Sequence, residues 1–459
     1  MTLCRGNPLW LPFVVKYLFI YASVLMNITN SLSSVLSKNS KLDGRIIVLL
    51  FLITYFSMIY LASLVMSYVQ FWAYLGVPSM SPSFADLRDI TSALECYRQG
   101  IDPLIDNPCD PWNRPMNYPR IWLGLSSLGL DQSHTFLLGI VQAILFYACI
   151  FMIIIKRLNV GEGLFYGLIL CSPAVMLAVE RGNNDLMIFV FLSLSVFLMQ
   201  KRRILPYLFI LMASILKLYP IVSIMSALRE DKKRAIIIML MVGTLFMIYM
   251  IYTWQDVMLI GTTVPRSANI SYGSRVLFDG LNPIFQSISG FSIPDNFRTL
   301  FSFTAVLFIL VASYLATRLG FIQTDTQNNV NTTQYIDSFR IGSIIYIGTF
   351  IIGNNWDYRL IFLILTLPQL LAWIKIQNPL SQCAVFLLIA ILFTMWSSFF
   401  AIWFSGLVSL VFSLEKTGNH LVFLIEEIIN WLIFGCLIAI LLSTLPDWLK
   451  TLLRIETPR

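Results

Sequence analysis

Apolar runs recur from one end of this chain to the other, the longest at 46–75, 300–319, 383–414 and 421–445. Further runs lie at 135–155, 163–179, 186–199, 235–252, 341–352 and 360–373. A helix needs about 20 apolar residues to cross a hydrocarbon core, so a chain built this way has few folds open to it. The composition agrees: 58% of the 459 residues are hydrophobic and 12% charged, against roughly 25% charged in a soluble domain. The expected fold is all-α, a multi-pass transmembrane helical bundle of about twelve spans. Residues 9–28 are either an extra span or an interfacial helix. Lys16 in their middle and the lack of a small-residue cleavage site argue against a cleaved signal peptide. The chain divides at sequence level into an N-terminal segment 1–45, a membrane core 46–376, and C-terminal helices with a tail, 377–459.

The net charge of +7 does not point to nucleic acid, because Lys and Arg fall in short clusters between the runs. Those clusters read as topology signals. Placing Lys38, Lys41 and Arg45, Lys156-Arg157, Lys201 to Arg203, Arg229 to Arg234, and Lys450, Arg454 and Arg459 in the cytoplasm gives a consistent zigzag. Segments 77–118, 180–185, 253–297 and 353–359 then lie on the outer face, and 323–334 is a cytoplasmic linker. One stretch, 204–228, has basic clusters at both ends and so needs an even number of crossings. Two short helices meeting at Lys217-Leu218-Tyr219-Pro220 satisfy that, since Pro220 breaks a helix and broken helices line cavities. A single tilted helix with a snorkelling Lys217 is the alternative.

Polar residues between apolar runs mark the candidate site. Glu180-Arg181-Gly182-Asn183-Asn184-Asp185 sits between 163–179 and 186–199, and Gly353-Asn-Asn-Trp356-Asp357-Tyr-Arg359 between two later runs. Ionisable groups at membrane depth are costly and mark function by default, although a solvated turn is the plain reading. The first outer loop has two parts. In 86–99, Leu87, Ile90, Leu94 and Tyr97 recur at helical spacing, which predicts an amphipathic helix lying in the interface plane. Asp86 and Asp89 share one side of its start, where Asp86 also suits a simple helix cap. The second part carries Pro103, Pro108, Pro111, Pro115 and Pro119, with Trp112, Tyr118 and Trp122 interspersed. Stiff backbone with aromatics suits a sugar-binding wall and equally suits headgroup anchoring. Cys96 and Cys109 share this loop and would pair if it faces an oxidising compartment. The two histidines, His134 and His420, are too few and too far apart to suggest a metal site or a Ser-His-Asp triad.

Cations scattered over outer loops oppose the positive-inside bias. An anionic ligand at the outer leaflet accounts for Arg181, Lys217 and Arg359, with Arg266 and Arg275 as lesser candidates. Arg grips phosphate with two donors, and Lys acts as a point charge. A neighbouring carboxylate can take a proton from a hydroxyl. Phosphate clamp plus base beside a membrane describes glycosyl transfer from a lipid-phosphate sugar. The chain also lacks G-x-G-x-x-G on a strand-to-helix turn, a P-loop and an Asp-x-Asp pair. A donor already in the membrane makes a soluble nucleotide-binding domain unnecessary.

Ala85-Asp86-Leu87-Arg88 with Gly100-Ile-Asp-Pro, Tyr118-Pro119, Glu180-Arg181-Gly182-Asn183, Lys217-Leu218-Tyr219-Pro220, and Asn355-Trp-Asp-Tyr-Arg359 together resemble glycosyltransferase family 87 over 46–376. The resemblance implies a GT-C-type membrane transferase with polyprenyl-phosphate sugar donors, mannose among them, and inversion at the anomeric carbon. It implies a catalytic aspartate in the first outer loop, and Asp86 matches by position, with Asp89 as the alternative. Glu180, Arg181, Asn183, Asn184, Asp185, Lys217, Tyr219, Trp356, Asp357, Arg359 and Tyr118 would bind substrate. Relatives often carry Gln after the Arg-Gly pair, where this chain has Asn183. No cofactor is called for, a divalent metal is left open, and the acceptor is unassigned. The setting implied is a bacterial plasma membrane. A flippase or transporter of lipid-linked saccharides is the competing reading. It too would place cations in a membrane cavity, but it would need no aspartate on the outer-loop helix.

Overall fold

In a computed structural model, the structure describes residues 42–267, 270–320, 330–375, 379–412 and 415–455. Residues 9–28 and most of the proposed N-terminal segment lie outside these, as does most of the 323–334 linker, whose last residues instead open the helix Val330–Ile352.

The protein is an all-α multi-pass helical bundle. Among the described residues, eight helices are long and apolar enough to cross a membrane: Gly44–Ser63, Gln132–Ile154, Lys232–Tyr252, Asp295–Arg318, Thr333–Ile352, Asp357–Ile374, Leu380–Phe404 and His420–Ser443. The run 163–179, read as one helix, is two. Val160–Leu170 and Pro173–Arg181 meet at a 50° bend. Ser172 caps the second helix by accepting from the Val175 N–H, and Pro173 occupies its first turn, where the missing N–H costs nothing. Counting that pair as one span gives up to nine. Asp185–Met199 and Leu205–Leu216 are apolar but shorter, so among the described residues the helices long enough to span are fewer than the expected dozen. The second of them ends where Lys217-Leu218-Tyr219-Pro220 predicted a break, and a 3-10 helix, Tyr219–Arg229, continues the chain.

The core is continuous through the bundle. Phe189 meets Phe146 edge to face and Phe362 at a tilt within it, and Phe350, Trp431 and Phe434 form a second aromatic knot. Contacts between helix ends sort by predicted side. Gly44 N–H donates to Leu158 O, Lys375 pairs with Glu162, and Gln200 and Arg229 meet Asp337 at one end. Residues predicted to be outer meet at the other. There a short antiparallel ribbon joins Ser271–Tyr272 to Asn355–Trp356, in the register Ser271 to Trp356 and Tyr272 to Asn355.

The outer-loop helix, Ala85–Arg98, forms as the apolar spacing predicts, and protein covers most of its apolar face. Ile90, Ala93 and Leu94 pack into a small second core with Leu104, Met116, Tyr118 and Leu123. The proline-rich segment wraps the helix: Arg114 donates to Ala85 O at 2.8 Å, Asn107 to Ser92 Oγ at 3.2 Å, and Asn117 N–H to Asp89 Oδ2 at 3.3 Å. Cys96 and Cys109 are joined by a disulfide, with Cα atoms 5.8 Å apart. Only Tyr97, of the four stripe residues, stays exposed. Five prolines that forbid a helix of their own supply a stiff cover for one.

Candidate active site

Gly182 explains how the site is assembled. It ends Pro173–Arg181 in the left-handed conformation, φ +57°, a C-terminal stop that favours glycine. The Asn183 N–H then reaches back to Ala178 O at 2.9 Å. A Cβ at Gly182 would lie 3.1 Å from Leu87 Cβ and 3.2 Å from Phe84 Cβ, so its absence lets the start of the outer-loop helix press against the turn. Phe84 N–H donates to Glu180 O at 3.0 Å and fixes that approach. The result brings Asp86 to Asn183: Asn183 Nδ2 donates to Asp86 Oδ2 at 2.5 Å. Arg181 Nη1 stands 3.8 Å from Asp86 Oδ1.

The network continues inward from Asn183. Its Oδ1 accepts from Lys217 Nζ at 2.9 Å and from the Asp185 N–H at 2.9 Å. Lys217 also pairs with Asp185 Oδ1 at 2.9 Å, and its ammonium lies 5.4 Å from the Tyr118 ring and 5.5 Å from the Tyr358 ring. Asp185 Oδ1 accepts from the Tyr219 hydroxyl at 2.6 Å, and its Oδ2 stands 3.5 Å from Arg359 Nε. Arg359 lies over the Tyr219 ring at 4.7 Å and donates to Asn355 Oδ1. Arg181, Lys217 and Arg359, from three polar breaks far apart in sequence, thus join one network with Asp86. The broken helix at Lys217 is what turns its side chain toward the cluster.

Several expected residues sit differently. Glu180 is buried and faces away from Asp86. It accepts from the Tyr68 hydroxyl at 3.0 Å and the Met80 N–H at 3.3 Å, and so pins the loop on which Arg181 rests. Arg181 donates to Pro78 O at 2.9 Å and to Met80 Sδ at 2.7 Å. Asn184 is buried beside the turn with its Nδ2 unpartnered. Asp357 points away from the network into the bundle, toward Glu426 and Glu427, because the 3-10 geometry after Trp356 sends neighbouring side chains to different sides. Trp356 braces the outer loops, donating to Pro265 O at 3.0 Å. Arg275 is occupied by Asp279, Asp295 and Thr299, and Arg266 is exposed, so neither joins the cluster.

Asp86 and Asp89 now differ sharply. Asp86 keeps 18% of its side chain exposed. Asp89 is buried with Oδ1 unpartnered. Burial pushes its carboxyl up to about 8 against the pull of Arg114 and the Asn117 N–H, so at neutral pH it holds a proton. A protonated acid cannot serve as a base. Among the described residues, no three His, Cys, Asp or Glu side chains form a metal-ligand group.

Two participants escaped the sequence reading. Tyr358 flanks Lys217, with its ring 5.5 Å from the ammonium. It stood unassigned within the Asn355–Arg359 motif. Gln142 donates to Asn183 O at 2.8 Å. As a lone amide inside the apolar run 135–155, it carried a readable signal. The carbonyl of Pro78 under Arg181 carried none.

No curated protein and no solved structure matches the chain. Residues 129–336 match the profile of glycosyltransferase family 87, a stretch that contains the Glu180–Asp185 turn, Lys217 and Tyr219. That match covers a little under half of the chain, and together with the all-α membrane bundle it makes the chain similar to the membrane glycosyltransferases of family 87.

Proposed function

We propose that the protein is a GT-C-type hexosyltransferase. It would move a sugar, mannose being the first candidate, from a polyprenyl-phosphate donor to a lipid, glycan or other acceptor at the outer face of a bacterial plasma membrane. The observation that carries this reading is the joining of Asp86 with Arg181, Lys217 and Arg359 in one network at the predicted outer end.

In this reading Asp86 takes the proton of the acceptor hydroxyl. The hydroxyl oxygen bonds to the anomeric carbon from one side while the bond from that carbon to the phosphate oxygen breaks on the other, with inversion. A weak, well-placed carboxylate suffices, because the hydroxyl becomes acidic only late in an oxocarbenium-like displacement. The departing phosphate gains charge as it leaves, and the cations stabilise it most in the transition state. Asp185 holds Lys217 and Arg359 in place beforehand, and Tyr118 and Tyr358 face the ammonium. The single buried face of Asp185 argues for such positioning over direct substrate contact.

The test is incubation of purified protein with polyprenyl-phosphate mannose, glucose and arabinose in separate reactions, scoring release of polyprenyl phosphate. Release from one of them, lost in Asp86→Asn, is the expected result. No release from any, in the presence of a panel of lipid and glycan acceptors, overturns the donor assignment.

A further inference from the structure

Asn183 is expected from sequence to bind substrate, yet it is buried and both atoms of its amide are engaged. Nδ2 donates to Asp86 Oδ2. Oδ1 accepts from both Lys217 Nζ and the Asp185 N–H. Its backbone is held as well, the carbonyl by Gln142 and the N–H by Ala178 O. No polar atom is left for a ligand. A buried amide with all its partners in place has one orientation, because flipping it would set Nδ2 against Lys217 and Oδ1 against the Asp86 carboxylate.

We propose that Asn183 is a positioning residue that couples the base to the cation cluster through its two amide atoms. Nδ2–H ties down one oxygen of Asp86, which leaves Oδ1, with Arg181 Nη1 3.8 Å away and no hydrogen bond of its own among the described residues, as the oxygen that meets the acceptor hydroxyl. Oδ1 of Asn183 fixes Lys217 at the same time. Base and cation are thereby set at one spacing by a single planar group. The idea rests on the reading of Asp86 as base and Lys217 as phosphate ligand, and it assigns Asn183 no contact with either substrate. Asp at this position would be isosteric and keep the acceptor oxygen for Lys217, but it would face Asp86 with a carboxylate instead of an N–H.

The experiment has two arms. The first uses full-length protein without substrate. Carbodiimide and glycine ethyl ester label accessible carboxylates, and peptide mass spectrometry gives the rate at Asp86. Asn183→Asp and Asn183→Ala should each raise that rate at least tenfold, while the rate at Asp102, held by Arg120 on the same face, stays within twofold. An unchanged Asp86 rate, or an equal rise at Asp102, overturns the proposal. The second arm measures turnover of polyprenyl-phosphate mannose. Asn183→Asp should lower kcat more than tenfold and leave the donor KM within threefold. A rise in donor KM at constant kcat would make Asn183 a substrate ligand and overturn the proposal. Wild-type protein inert on this donor counts against the donor reading alone, and the labelling arm then decides the role of Asn183.

Discussion

At the end of the bundle predicted to be cytoplasmic, Asp337 is buried between Arg229 and Arg340 and accepts from Gln200. At the end predicted to be outer, Asp185 is buried between Lys217 and Arg359 and accepts from Tyr219. The two arrangements use the same parts, a buried carboxylate shared by two cations and one neutral donor. They differ in what lies beyond. The inner network ends on backbone and on one more carboxylate: Arg340 donates to Thr444 O, Trp448 donates to Glu230 O, and Arg229 Nε stands 3.9 Å from the Glu230 carboxylate. The outer network runs on through Asn183 to Asp86, a carboxylate that still meets solvent, and to Arg181. Buried charge alone therefore does not mark the site. What sets the outer network apart is the amide of Asn183, which hydrogen-bonds Lys217 on one side and the Asp86 carboxylate on the other.

Substitution at the two ends should separate these roles. Asp86→Asn is expected to lower transfer by roughly 10²–10⁴-fold, the usual weight of a general base, with no change in thermal midpoint. Asp337→Asn leaves the half-buried Arg340 without a counter-charge and Arg229 with Glu230 alone, 3.9 Å away. It should cost about 3–5 kcal/mol of stability, read as a lower Tm, while turnover per folded molecule persists. Loss of turnover in folded Asp337→Asn protein would erase the distinction. Next in size are Arg181→Ala and Lys217→Ala. Each should slow turnover by about 2–4 kcal/mol, by analogy with a lost oxyanion contact. If either variant turns over at the wild-type rate, that cation does not stabilise the leaving phosphate.

Much of this was legible because membranes make polarity conspicuous. Arg181, Lys217 and Arg359 stood out as charges between apolar runs, and Pro220 announced the broken helix that aims Lys217. The disulfide was open to inference from Cys96 and Cys109 sharing one polar loop. What escaped depended on packing. The periodicity of Leu87, Ile90 and Leu94 shows an apolar face but not what covers it. Part of the cover is the proline-rich segment, tied on through Arg114 and Asn107. The direction of Asp357 depends on 3-10 geometry two residues from Arg359, and no spacing rule reports that. The inner network was hidden because Arg229 reads as a topology signal and Asp337 lies near a polar linker.

The disulfide gives a smaller effect within the outer end. It joins the helix that carries Asp86 to the proline-rich cover, and Cys96→Ser with Cys109→Ser should cost about 3 kcal/mol by loop-closure entropy. Urea melts in detergent should show that loss with kcat retained at low temperature. A variant as stable as wild type would mean that Arg114, Asn107 and the buried aliphatics hold the cover unaided.

The finest test concerns the neighbour of the base. Asp89 is held protonated by burial, with its carboxyl pushed up to about 8 from an ordinary 3.8. Its folded-state value lies above its unfolded value, so the folded chain binds the proton more tightly. Stability is full below about pH 4 and falls as pH rises toward 8, because across that window the unfolded chain releases the proton and the folded one keeps it. Asn in its place mimics the neutral acid and cannot ionise. The wild-type Tm should therefore decline relative to Asp89→Asn between pH 5 and 8, and the two should converge near pH 4. Transfer at neutral pH should survive in Asp89→Asn, since an acid that already carries a proton contributes no base. A pH-independent difference between the two melts would mean that Asp89 is ionised when folded. Loss of transfer in well-folded Asp89→Asn would then move the base from Asp86 to Asp89.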